Sequence, residues 1–127
     1  MDKTALVVTD FAIGARILEI LDQSGLKMSL AMWLWTSEYE DWRFVLASPL
    51  LDGVEPSKAY GLVHDALAQA GLPLEYTPPL LIFRVSDPFV RALRRIFGKT
   101  KSIEGMRLGG QMIGDRFVDD AIVYRIQ

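Results

Sequence analysis

Cysteine is absent from this sequence of 127 residues. That excludes a disulfide framework, a thiolate metal site, an iron–sulfur cluster and a cysteine nucleophile. Histidine occurs once, as His64, so no multi-histidine metal centre can form. Long apolar runs are missing too: the longest, Leu30 to Trp35, falls far short of the ~20 residues that span a bilayer. The opening Met1-Asp2-Lys3-Thr4 leads into a short apolar run, Ala5 to Val8, cut by Thr9 and Asp10. It lacks the apolar core and small-residue cleavage site of a secretory signal. No internal repeat and no long polar linker interrupts the chain. The expectation is one soluble, cytoplasmic domain over residues 1–127, with no membrane partner.

What is present argues for a folded core. Half the residues are hydrophobic, 24% are charged and the net charge is −2, which excludes a disordered chain and speaks against a nucleic-acid coat protein. Ile13, Ile17, Ile20 and Leu21 recur at helical spacing, with Asp10 as the cap and Gly25 as the stop. The period then becomes two. Met28, Leu30, Met32 and Leu34 share one strand face, while Ser29, Ala31, Trp33 and Trp35 share the other. A partner strand from Trp42 to Ala47 completes a hairpin, and Ser48-Pro49 ends it. Pro56 opens a second helix with Tyr60, Val63, Leu67 and Ala70 as its stripe, closed by Gly71 and Pro73.

The apolar run Leu80 to Val85 predicts a central buried strand. Asp87-Pro88 then caps a third helix, whose buried stripe is Phe89, Leu93, Ile96 and Phe97. Met106 to Ile113 and Phe117 to Ile126 form a second hairpin about Gly114-Asp115. Asp119-Asp120 within it predicts a bulge or an exposed edge. The fold expected is therefore α+β. About five mainly antiparallel strands, two hairpins plus one central strand, carry three helices mainly on one face.

Ala31-Met32-Trp33-Leu34-Trp35, Asp41-Trp42-Arg43 and Ala47-Ser48-Pro49-Leu50-Leu51-Asp52 resemble a group of small uncharacterised bacterial proteins. Asp87-Pro88, Asp119-Asp120-Ala121 and Val123-Tyr124-Arg125-Ile126 fit the same pattern. The resemblance covers most of the chain and implies a bacterial, single-domain α+β protein. That group has no assigned activity, so no catalytic or binding role comes with it.

Charge is the most informative feature. Through Phe83 the chain holds five basic and eleven acidic residues; from Arg84 onward it holds nine basic and five acidic. Arg91, Arg94 and Arg95 share the face of the third helix opposite Phe89, Leu93 and Phe97, with Lys99 and Lys101 just beyond. Such a surface suits nucleic-acid phosphates or an acidic protein. The plainer account is a solvated helix face whose charges complement the helix C-terminus.

Trp33 and Trp35 lie on one strand face, with Trp42 opening the partner strand. They read either as cross-strand packing or as a protein interface. His64 beside Asp65 is not a dyad, because neighbouring helical residues point about 100° apart. Ser48 has no nucleophile-elbow context. Glu38, Glu40 and Asp41 sit in a turn, and Asp119 and Asp120 alternate across a strand, so no metal-dependent nuclease site is expected. Gly109-Gly110 lacks the strand-loop-helix setting of a phosphate loop and reads as a strand bend. No catalytic residue, cofactor or metal is assigned. The expectation is a non-catalytic binding or accessory protein acting through a protein interface, with a homodimer or another protein as partner. The alternative is a nucleic-acid-binding module using the basic third helix.

Overall fold

The computed structural model describes Leu6 and residues 8–127. Most of the opening stretch, Met1 to Ala5 together with Val7, lies outside the described residues. Strand β1 (Leu30–Thr36) is buried along its whole length, because it sits in the middle of a five-stranded sheet. It pairs antiparallel with β2 (Asp41–Ala47) on one side and with β5 (Arg116–Ile126) on the other. Beyond them lie β3 (Leu80–Ile82), parallel to β2, and β4 (Arg107–Ile113), antiparallel to β5. The order β3-β2-β1-β5-β4 makes an open, mixed sheet in an α+β fold.

Alternation along β1 and β2 sends side chains to two separate cores. Ala31, Trp33, Phe44 and Leu46 meet Ile17, Ile20 and Leu21 of α1 (Val8–Gln23) and Val63 and Leu67 of α3 (Pro56–Gln69). Leu30, Met32, Leu34, Val45 and Ala47 meet Phe89, Val90, Ala92 and Leu93 of α4 (Pro88–Phe97) on the opposite face. Two of the three long helices thus share a face, and α4 covers the other. A single-turn helix, α2 (Pro49–Asp52), is capped by the Ser48 hydroxyl, which accepts from Leu50 N.

Several expectations are revised; Asp10, expected as the cap of the first helix, lies inside its first turn. The strand at Leu80 is an edge, not a central strand. Its run is apolar because both faces are covered: Leu80 and Ile82 pack into the α1–α3 core, while Leu81, Phe83 and Val85 pack towards α4. The strand with Asp119-Asp120 lies between β1 and β4, but its pairing with β1 ends at Ala121, so these two residues sit where only β4 is in register. Met28 sits in the α1–α3 core rather than with Leu30, because it precedes the regular part of β1. Ile96 is exposed although it falls on the buried stripe of α4.

Two irregularities shape the end of the sheet. Ala31 pairs with Arg125 and Met32 with Val123, so Tyr124 is the extra residue of a bulge. Its hydroxyl donates to Phe11 O at 2.7 Å in α1 and accepts from Trp33 Nε1 at 3.3 Å. Farther along, Val118 and Ala121 both reach the α4 core, which breaks the alternation of β5 at Asp119-Asp120. Opposite this break Gly110 has φ of 66°, a conformation glycine adopts freely. The outer end of the hairpin therefore bends over α4. At its turn Gly114 lies so close to α4 that a Cβ would stand 2.8 Å from Pro88 O.

Candidate functional site

Helix α4 is fixed at its start by chemistry the sequence announces. The Asp87 carboxylate accepts from Phe89 N at 2.9 Å, and Pro88 is the first helical residue. Burial of Phe89, Val90, Ala92 and Leu93 turns Arg91, Arg94 and Arg95 outward, where all three are exposed. Lys99 and Lys101 continue the same charge along the exposed segment after the helix. The structure therefore brings the five predicted basic residues onto α4 and its continuation. None of the five makes an ion pair among the described residues; Arg94 Nε donates to Gln127 O at 2.6 Å.

Of the six arginines outside α4, all but Arg84 are matched to carboxylates among the described residues. Arg16 pairs with Glu19, Arg43 with Asp41, Arg116 with Glu38, and Arg107 and Arg125 each form a two-point contact, with Asp120 and Asp22. The bond from Arg125 holds the Asp22 carboxyl below the usual carboxylate pKa, against the opposing effect of burial. The bond to Asp22 in turn pushes the Arg125 guanidinium up. Burial raises the Tyr124 phenol above its ordinary value.

Trp33 and Trp35 do not present a surface. Trp33 is 3% exposed and packs edge-on against Phe44 at 5.1 Å, under α1 and α3. Trp35 is 8% exposed and packs edge-on against Trp42 at 5.9 Å. The interface reading for this pair is overturned, since their rings are already covered within one chain.

The two sheet edges differ instead. On β3, the outward Ile82 N–H is taken by the Tyr60 hydroxyl at 3.0 Å. Just past the strand, the Asp52 carboxylate accepts from Val85 N at 3.0 and 3.2 Å. On β4, alternate N–H and C=O groups of seven residues point away from β5, and no described residue meets them. At its outer end the cross-strand pair Met112 and Phe117 is 61% and 57% exposed. Their symmetric placement about Gly114-Asp115 was readable as a pair. Their exposure depends on the bend at Gly110, which periodicity does not show.

A cleft of about 740 Å³ runs beside α1 between Asp22 and Lys99, and a second of about 420 Å³ beside Phe11 and Ile122 shares Ala15, Glu104 and Tyr124 with it as lining. Asp22, Arg125 and the Tyr124 hydroxyl in its wall are already engaged with one another or with backbone. Among the described residues no group of three His, Asp or Glu side chains could hold a metal ion. Asp120 is bound by Arg107, and His64 is half-buried on α3, with Nδ1 lacking a hydrogen-bond partner. No described helix is long and apolar enough to cross a membrane. Compared with family models, curated proteins and solved structures, the chain matches none.

Proposed function

We propose that the protein is a non-catalytic binding or accessory protein that works through a protein interface, with a second copy of itself as partner. The observation that supports this is the asymmetry of the sheet. One edge is short and closed by Tyr60 and Asp52, whereas the outward N–H and C=O groups of the seven-residue β4 meet no partner among the described residues. An open edge is a template for another strand. Gly109-Gly110 has no side chains to hold a second backbone away, and Met112 with Phe117 adds apolar area at the end of the same hairpin. A bacterial, cytoplasmic setting belongs to the same reading, the first part following the motif resemblance and the second the short apolar runs of the sequence.

Light scattering across a dilution series tests it. The wild type should show a mass that falls from dimer towards monomer on dilution. Met112→Lys/Phe117→Lys, which places charge beside the edge, should be monomeric at every concentration with an unchanged melting temperature. A wild-type monomer at all concentrations would overturn self-association.

A further inference from the structure

We infer that the outer face of α4 is a binding surface for the phosphate backbone of nucleic acid. Two observations carry it. First, Arg91, Arg94, Arg95, Lys99 and Lys101 stand together without an ion pair among the described residues, in a molecule where five of nine arginines are matched to carboxylates. Among the described residues Lys27, Lys58 and Arg84 are unpaired too, but each stands apart in the chain, whereas five clustered cations create a local positive potential. Second, α1 and α3 stand across the sheet from the arginines of α4. Acids come near the basic segment at its ends, where Asp87 caps the helix and Glu19, Asp22 and Glu104 share a cleft with Lys99. Asp10, Glu19 and Asp22 belong to α1, while Glu55 and Asp65 belong to the start and body of α3, and both helices lie on the opposite side. At physiological salt a charge more than about 8 Å away through solvent is largely screened. The net charge of −2 therefore does not describe what an approaching phosphate meets.

The chemistry of the face selects among anionic partners. A lipid surface takes up an amphipathic helix by its apolar stripe. That stripe is buried here, in Phe89, Val90, Ala92 and Leu93. The core of a protein interface is depleted of charge and anchored by apolar side chains. Between the arginines of α4 the exposed large apolar residue is Ile96, and it lies on the stripe side of the helix rather than among them. Guanidinium groups offer planar forks of donors that match phosphate oxygens. Ten residues of helix run about 15 Å, and one strand of duplex places a phosphate every ~3.4 Å of axis, so the face spans a few consecutive phosphates.

Fluorescence anisotropy with a labelled 20-base-pair duplex tests the inference, beginning at low salt. Affinity should fall about 10²-fold between 50 and 200 mM salt, as expected for about four neutralised phosphates. Arg91→Glu/Arg95→Glu should remove binding, and Arg91→Gln/Arg95→Gln should weaken it at least tenfold with an unchanged melting temperature. Arg16→Glu/Lys58→Glu changes net charge by the same amount but on α1 and α3, across the sheet from α4, and should bind as wild type does. Equal loss in both reversal variants would mean a nonspecific charge effect and overturn the site. So would no binding at low salt, or tighter capture of labelled poly-glutamate than of the duplex. The assay is independent of self-association, because the monomeric Met112→Lys/Phe117→Lys protein retains the whole of one α4 face and should still bind.

Discussion

At the scale of single residues, the side-chain hydrogen bonds that join α1 to the sheet come from β5, over apolar packing on β1 and β2. Tyr124, displaced by the bulge, reaches Phe11 O and Trp33 Nε1, and it lies where a Cβ on Gly14 would stand 2.6 Å from its hydroxyl oxygen. That is why Gly14 is buried in α1 while Ile13, expected on the stripe, is only partly so. Periodicity finds apolar residues, and cannot show a position kept empty for a tyrosine more than a hundred residues away. Next to it, Arg125 grips Asp22 at 2.7 and 2.8 Å. The Asp22 pKa is lowered in the folded state, so this contact stabilises the fold above the unfolded carboxylate pKa of about 3.9 and loses its effect as pH falls through the folded value. Both side chains are partly exposed, which limits the contribution to about 0.5–1 kcal/mol. Asp22→Asn should lower stability by that amount in urea melts at pH 7. The difference from wild type should shrink towards zero as the buffer is taken below pH ~4; a difference that stayed constant with pH would mean that the ion pair is not its source.

At the scale of elements, α4 shows what sequence pattern can and cannot give. Its cap, its first residue and its division into an apolar and a basic face were all legible, because each depends on residues close together in the chain. The exposure of Ile96 was not. It lies between Ala92 and Phe89 in angle, squarely on the buried stripe, but in the last turn of the helix, beyond the side chains that cover the stripe. How far a helix overhangs its sheet is a tertiary property. The position of β3 escaped for a related reason: a continuous apolar run means cover on two faces, which a central strand and a helix-flanked edge share equally. For α4 the two faces predict opposite outcomes. Leu93→Ala should cost about 2–5 kcal/mol through lost transfer energy and a cavity, and Arg95→Ala should stay within about 0.5 kcal/mol of wild type. Denaturant melts of the pair check the phase, and equal costs would contradict it. Arg94 is the poorer probe, since its Nε is bonded to Gln127 O.

At the scale of the whole molecule, the sheet is both a scaffold and a partition of charge. The sequence already divided into an acidic first two-thirds and a basic remainder, but a division along the chain says nothing about sides. Placing α1, with three acids to one arginine, on one face and the basic α4 on the other carries part of that division into space. This has a consequence for the proposed dimer. When two copies of one edge strand pair antiparallel in a continuous sheet, the two-fold axis relating them stands perpendicular to the sheet, so equivalent faces stay on the same side. Pairing along β4 would then set both α4 helices on one side and both α1–α3 pairs on the other. A duplex long enough to cross both basic faces would be held twice, the second contact gaining from the effective concentration of the first. Measured on a 40-base-pair duplex at protein concentrations where the wild type is dimeric, the monomeric Met112→Lys/Phe117→Lys variant should bind at least tenfold more weakly. On a duplex of about ten base pairs, too short to reach both faces, the two proteins should bind alike. Equal affinity on the long duplex would separate the two surfaces: α4 would remain a nucleic-acid face, and the β4 edge would not be what brings two of them together.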